Sequence, residues 1–174
     1  PLPRAAVTET CHEIVAEHER WRTRIGTFRD LLPPDPQWGR SRSVAGLCAP
    51  VGFAEGMPVE VTLADASPHA LVSGPSGSGK TNLLLTMIAT MAARYSPDEL
   101  ELYLLDFKEG VSFAQFAPGR RDPTWLPHAR LIGVNINTDR EFGLALLQHL
   151  SDEMRRRAEV AKANEVTKLE ELRR

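Results

Sequence analysis

Apolar and polar positions recur along this chain with two periods, and the change from one to the other marks out its elements. From Cys11 onward, Cys11, Ile14, His18, Trp21, Ile25, Phe28 and Leu32 follow one another at spacings of three and four. That is the seam of an amphipathic helix. Glu17, Glu19, Arg20, Arg22 and Arg29 fall on its other faces. The seam is expected to pack on its own domain; the alternative is the end of a coiled-coil arm. Leu32-Pro33-Pro34-Asp35-Pro36 stops the helix, and Pro34 to Gly39 reads as a linker. Ser43 to Phe53 and Met57 to Leu63 read as two short strands. Ala54-Glu55-Gly56 between them makes a tight connection, so a hairpin is expected.

Beyond the hairpin the pattern alternates strand and helix. Pro68 to Ser73 is a short apolar strand, and Asn82 to Tyr95 is an apolar helix. Ser96-Pro97-Asp98-Glu99 punctuates the chain before Leu100 to Leu105, whose near-continuous apolar run fits a parallel strand covered on both faces. Asp122 to Pro127 is a loop and Ala129 to Val134 another strand. Thr138 or Asp139 then caps a long helix through Glu141, Leu144, Leu147 and Leu150 into Arg155-Arg156-Arg157. Strands alternating with helices imply an α/β fold with a mostly parallel sheet flanked by helices.

Composition narrows the class. The chain has 174 residues, 42% hydrophobic and 25% charged, as expected of one globular domain with an extension. A formal net charge of −2 excludes binding to nucleic acid by bulk charge alone. Cys11 and Cys48 stand alone, which fits a reducing cytoplasm. No apolar run is long enough to cross a membrane, so no membrane contact is expected within this segment, although tethering through other segments stays open. Both ends read as cut, Pro1 in place of a starting methionine and Arg174 inside a charged helix.

The chemistry concentrates at Gly74-Pro75-Ser76-Gly77-Ser78-Gly79-Lys80-Thr81, a complete G-x-x-x-x-G-K-[ST] loop between strand and helix. Glycines at 74, 77 and 79 let the backbone turn its N–H groups inward around phosphate oxygens. The helix N-terminus adds partial positive charge at the same point. Lys80 is placed to bring full charge to the β- and γ-phosphates of ATP, and Thr81 to offer its hydroxyl to Mg²⁺. A plain Gly/Ser turn would require neither the lysine nor the threonine.

Several blocks together carry a family resemblance. They are the loop with Pro68 to Gly74, then Tyr95 to Leu100, Leu105-Asp106-Phe107-Lys108, Leu126-Pro127-His128-Ala129, and Asp152 to Arg157. In this order, from about Val44 onward, they resemble the FtsK/SpoIIIE ATPase domain. The resemblance implies a RecA-like P-loop NTPase that assembles as a homo-oligomer, a hexameric ring, and uses ATP to move double-stranded DNA. The alternatives to that main reading are a type VII secretion branch acting on protein substrates, or a nucleotide-gated scaffold without hydrolysis. Residues 1–36 would be a helical extension with a Pro-rich linker, and 37–174 the ATPase domain, incomplete because its Mg²⁺-binding Asp and catalytic Glu belong on a strand past the long helix. Asp106 is therefore expected to end the second strand rather than to bind metal; Phe107 stands where such motors carry the glutamate. Where the family branch reads Lys-Gly-Gly, this chain has Lys108-Glu109-Gly110. Alone, the chain is expected to bind nucleotide weakly and hydrolyse it negligibly.

Other candidates are weaker. Arg155, Arg156 and Arg157 could meet a neighbour's γ-phosphate or DNA phosphates, but Glu153 and Glu159 at helical spacing favour a solvated face. Asp106 and Lys108 end a strand at the edge where open α/β sheets bind ligands, and a structural ion pair is an equal reading. His12, His18, His69, His128 and His149 show no metal-ligand spacing. Phe113, Phe116 and Trp125 read first as packing groups.

Overall fold

A computed structural model describes residues 3–23, 26–54, 56–107, 112–120, 122–133 and 140–172. The chain opens with helix α1 (Arg4–Thr23), followed by a 3-10 turn at Phe28–Leu31. The hairpin follows as β1 (Leu47–Ala54) and β2 (Met57–Leu63), paired antiparallel from Leu47↔Leu63 to Ala54↔Met57. The register slips between Pro50 and Gly52. A proline inside a strand is tolerated beside such an irregularity because its missing N–H leaves no ladder bond broken. Helix α2 (Lys80–Arg94) leads to β3 (Leu102–Leu105), which pairs in parallel with β4 (Ala129–Gly133). Long helix α3 (Arg140–Ala163) and a short turn of helix, α4 (Leu169–Leu172), complete the chain.

The core forms where α2 is clasped between the hairpin and β3. Met87, Ile88 and Met91 of α2, with Tyr95 just past its end, pack against Ala49 of β1 and against Leu100, Leu102 and Leu104. Their spacings of three and four put them on one face of the helix. Thr90 is fully buried on the same helix, and its hydroxyl is satisfied locally by the carbonyl of Thr86 at 2.9 Å.

Polar contacts then fix the ends of α2. The Tyr95 hydroxyl accepts a hydrogen bond from the Cys48 amide at 2.9 Å, tying the helix end to β1. The amides of Gly39 and Ser41 donate to the carbonyls of Ala93 and Arg94, both at 2.9 Å. The Glu99 carboxylate accepts from the amide and hydroxyl of Ser43, at 2.9 and 2.7 Å. Buried His128 contacts the Tyr95 carbonyl through Nε2 at 2.7 Å. The P-loop helix is thereby held at its C-terminal end by groups from three separate segments, the linker, β1 and the turn at His128.

Three expectations change. The strand expected at Pro68 to Ser73 does not form; these residues have no regular structure, and Leu71 is 94% exposed. A strand exists only when a neighbour takes up its N–H and C=O groups, and none of the described strands lies alongside this one. Among the described residues the mostly parallel sheet is accordingly present only as the β3–β4 pair, beside a separate antiparallel hairpin. The seam on α1 does not pack on the domain: every residue from Pro3 to Arg20 is exposed. The helix also stops short of the full seam, ending at Thr23. Past it, the Asp30 carboxylate takes hydrogen bonds from the amide and hydroxyl of Thr27, at 2.7 and 2.8 Å, and starts the 3-10 turn. The proposed cap at Thr138 or Asp139 and the corner at Lys108-Glu109-Gly110 lie outside the described residues.

Candidate functional site: the phosphate-binding loop

The loop Gly74–Lys80 turns tightly into α2, and its glycines are needed for different reasons. Gly77 has φ +78° and Gly79 φ +86°, left-handed conformations that a Cβ disfavours. Space around both is open, so the requirement there is torsional. Gly74 is different: a Cβ on it would lie 2.8 Å from the Ser78 hydroxyl oxygen, so that side chain would have to shift. The Ser78 amide closes that turn onto the Pro75 carbonyl at 3.3 Å.

Gly79 caps α2 without a side chain, and the first turn carries no acidic residue. Its backbone donors and the positive end of the helix dipole therefore face the loop unopposed by a carboxylate of that turn. Lys80, the first residue of the helix, folds back so that Nζ donates to the carbonyls of Gly74 at 2.8 Å and Pro75 at 2.6 Å. The ammonium is thus held inside the loop by neutral acceptors. Phosphate oxygens, which carry full charge, make stronger partners for it. Thr81 is exposed in the first helical turn, and residues 74–79 are exposed throughout. Loop backbone and lysine ammonium thus meet at one accessible point, a donor set that suits a phosphate group.

The remaining candidates are not gathered with it. Asp106 follows β3 and donates its amide to the Gly133 carbonyl at 2.8 Å, continuing the parallel ladder as the strand end it was expected to be. The arginine run lies along the exposed face of α3 in intrahelical pairs. Arg155 meets Asp152 at 3.3 Å, while Arg156 and Arg157 both meet Glu153 at 2.7 Å. Hydrogen bonds from Arg156 and then Arg157 pull the Glu153 carboxyl down to about 2. Among the described residues no group of three His, Cys, Asp or Glu side chains could hold a metal ion. Phe113, Phe116 and Leu126 pack against the core, whereas Trp125 is 61% exposed. Sequence reasoning missed the anchoring role of Tyr95, Glu99 and His128. Their only sequence signal is their position in blocks at the ends of elements.

Known proteins show the same pattern. A family model for the FtsK/SpoIIIE family matches residues 29–174. The ESX-4 secretion system protein EccC4 of Mycobacterium tuberculosis is 30% identical over 148 residues, covering 80% of this chain and 11% of that protein. The ESX secretion system protein YukB of Bacillus subtilis is 30% identical over 142 residues, 76% of this chain and 9% of that one. A solved structure, the cytoplasmic domain of the type VII secretion ATPase EccC from Thermomonospora curvata, aligns with a TM-score of 0.53 and 27% identity. It covers 80% of this chain and 15% of its own. The chain thus spans only about a tenth of the curated relatives' length. These relatives are secretion-system proteins, which overturns the expectation of double-stranded DNA as the partner and of a DNA translocase. The −2 net charge never distinguished a polymer of nucleotides from one of amino acids. No helix among the described residues is long and apolar enough to cross a membrane. Loop, helix and ordered blocks agree with the match over residues 29–174, and the chain belongs to the FtsK/SpoIIIE family.

Proposed function

We propose that this chain carries the ATP-binding loop of a type VII secretion-type ATPase, which couples ATP hydrolysis to the handling of a protein substrate on the cytoplasmic side. The observation that carries this reading is the loop itself: two glycines at positive φ, a helix start capped by Gly79 with no side-chain acceptor, and Lys80 Nζ already held among the loop carbonyls. In the proposal residues 37–174 belong to the ATPase domain and 1–36 form an extension ahead of it. The backbone N–H groups of the loop hold the phosphates, and Lys80 exchanges its bonds to Gly74 and Pro75 for bonds to the β- and γ-phosphates. Thr81 would offer its hydroxyl to Mg²⁺, and the ion would supply positive charge to offset that of the phosphates. The chain's own contribution is positioning and charge stabilisation. The protein-substrate half of the reading draws on the secretion relatives.

The test is ATP turnover by the full-length protein with and without a helix-forming acidic peptide, with duplex DNA as the comparison. Turnover stimulated by the peptide and abolished by Lys80→Ala is expected. Stimulation by duplex alone would overturn the protein-substrate reading.

A further inference from the structure

His128 sits where three elements meet, at the end of α2 away from the phosphate-binding loop. It directly precedes β4, and its carbonyl accepts from the amide of Leu102, the first residue of β3, at 2.8 Å. Its side chain reaches the third element through the Tyr95 carbonyl, just past α2, at 2.7 Å. We infer that His128 is a positioning residue for ATP turnover: its Nε2–H sets the angle of α2, and so the place of Lys80, against the β3–β4 pair.

The hydrogen-bond chemistry supplies the first argument. A carbonyl only accepts, so Nε2 carries the proton. His128 is 7% exposed, and its Nδ1 has no partner among the described residues. A buried nitrogen without a partner is a cost that a phenylalanine in its place would avoid. What phenylalanine could not supply is the directional bond to the helix end.

The surrounding contacts supply the second argument. Tyr95 is held on the hairpin side by the Cys48 amide at its hydroxyl, and on the β4 side by His128 at its carbonyl. The core that α2 shares with β3 is apolar, Met87, Ile88 and Met91 with Leu102 and Leu104. Apolar contact is non-directional and by itself lets a helix pivot. The segment ahead of the loop gives little support, since Pro68 to Ser73 has no regular structure. The angle of α2 therefore rests on its far end.

Length turns that joint into a lever. Lys80 and Tyr95 are about 20 Å apart along the helix, so a pivot of about 3° moves Lys80 by about 1 Å. A misplacement of that size can cost about a hundredfold in turnover. The loop end, Lys80 and Thr81 move together as the start of one helix, so phosphate binding survives the pivot. What is lost is alignment with groups at the carboxyl edge of the sheet, where open α/β sheets bind their ligands.

The inference rests on the ATPase reading, and the experiment separates the two. Basal ATP turnover and Mg·ATP affinity of the full-length protein are measured for wild type, Lys80→Ala, His128→Phe, His128→Gln and Ser43→Ala. His128→Phe should lower kcat at least about tenfold and leave the Kd for Mg·ATP nearly unchanged. His128→Gln keeps an N–H donor and should restore most of kcat. Ser43→Ala, which removes a tie to Glu99 outside the joint, controls for lost stability and should keep kcat. His128→Asn, whose amide is too short to reach Tyr95, takes the place of His128→Phe if phenylalanine prevents folding. An unchanged kcat in His128→Phe, no rescue by His128→Gln, a Kd that rises as far as kcat falls, or an equal loss in Ser43→Ala would each overturn the positioning role. Turnover that is absent from wild type or indifferent to Lys80→Ala would instead overturn the ATPase reading, and this inference with it.

Discussion

Gly79→Ala isolates the backbone's part in the proposed phosphate site. Gly79 sits at φ +86°, ψ +10° as the cap of α2, with nothing within 4 Å of where a Cβ would stand. An alanine there meets no steric obstacle and incurs only the torsional penalty of the left-handed region, roughly 1–2 kcal/mol. If nucleotide binding demands this conformation, affinity should fall about five- to thirty-fold, at 1.36 kcal/mol per decade. Gly79→Asn should fall less, because asparagine tolerates the left-handed region. Gly74→Ala should also weaken binding, but through the Ser78 hydroxyl 2.8 Å from its Cβ. Combining it with Ser78→Ala should therefore recover affinity, and Ser78→Ala should not rescue Gly79→Ala. Titration calorimetry with Mg·ATP reads all of these variants. Gly79→Ala within twofold of wild type, or rescue of Gly79→Ala by Ser78→Ala, would refute the assignment of a torsional role.

Two further predictions test the surrounding structure. Tyr95→Phe should lower stability by about 1–3 kcal/mol, because it strands the Cys48 amide that now donates to the hydroxyl; urea denaturation reads this, and an unchanged midpoint would remove Tyr95 as the tie between α2 and β1. Glu153, held down to about 2 from 4.5 by Arg156 and Arg157, should support the middle of α3 fully above pH about 4.5 and lose that support as pH falls through about 2. Helicity by circular dichroism across that window should show the step in wild type and lose it in Glu153→Gln; identical titrations would contradict the pairing.

What the sequence disclosed was mostly local chemistry. The loop was legible because a glycine's access to positive φ, a lysine at the first helical position and a threonine after it are properties of neighbours in the chain. β3 and β4 were legible as apolar runs between turn signals, and their parallel pairing follows from the helix-and-strand alternation. The expected strand before the loop failed because a strand is a property of two segments, and Pro68 to Ser73 has no pairing partner among the described residues. The seam on α1 misled for a related reason: periodicity says that a face is apolar but not what covers it. The anchoring of Tyr95 by Cys48 and His128, and of Ser43 by Glu99, joins residues far apart in sequence. No single-chain pattern announces such pairs. The choice between DNA and protein as the partner was likewise absent from loop and composition, since both readings share one ATP site.

The central claim, that residues 74–81 bind ATP through their lysine, is tested most directly by the Mg·ATP affinity of Lys80→Ala against wild type. Lys80 now spends two hydrogen bonds on loop carbonyls, at 2.8 and 2.6 Å, and is positioned to redirect them to phosphate oxygens. A charge-assisted contact of this kind is worth about 1.5–3 kcal/mol, so the account predicts a loss of roughly ten- to a hundred-fold in affinity. Equal affinity in the two proteins would contradict it.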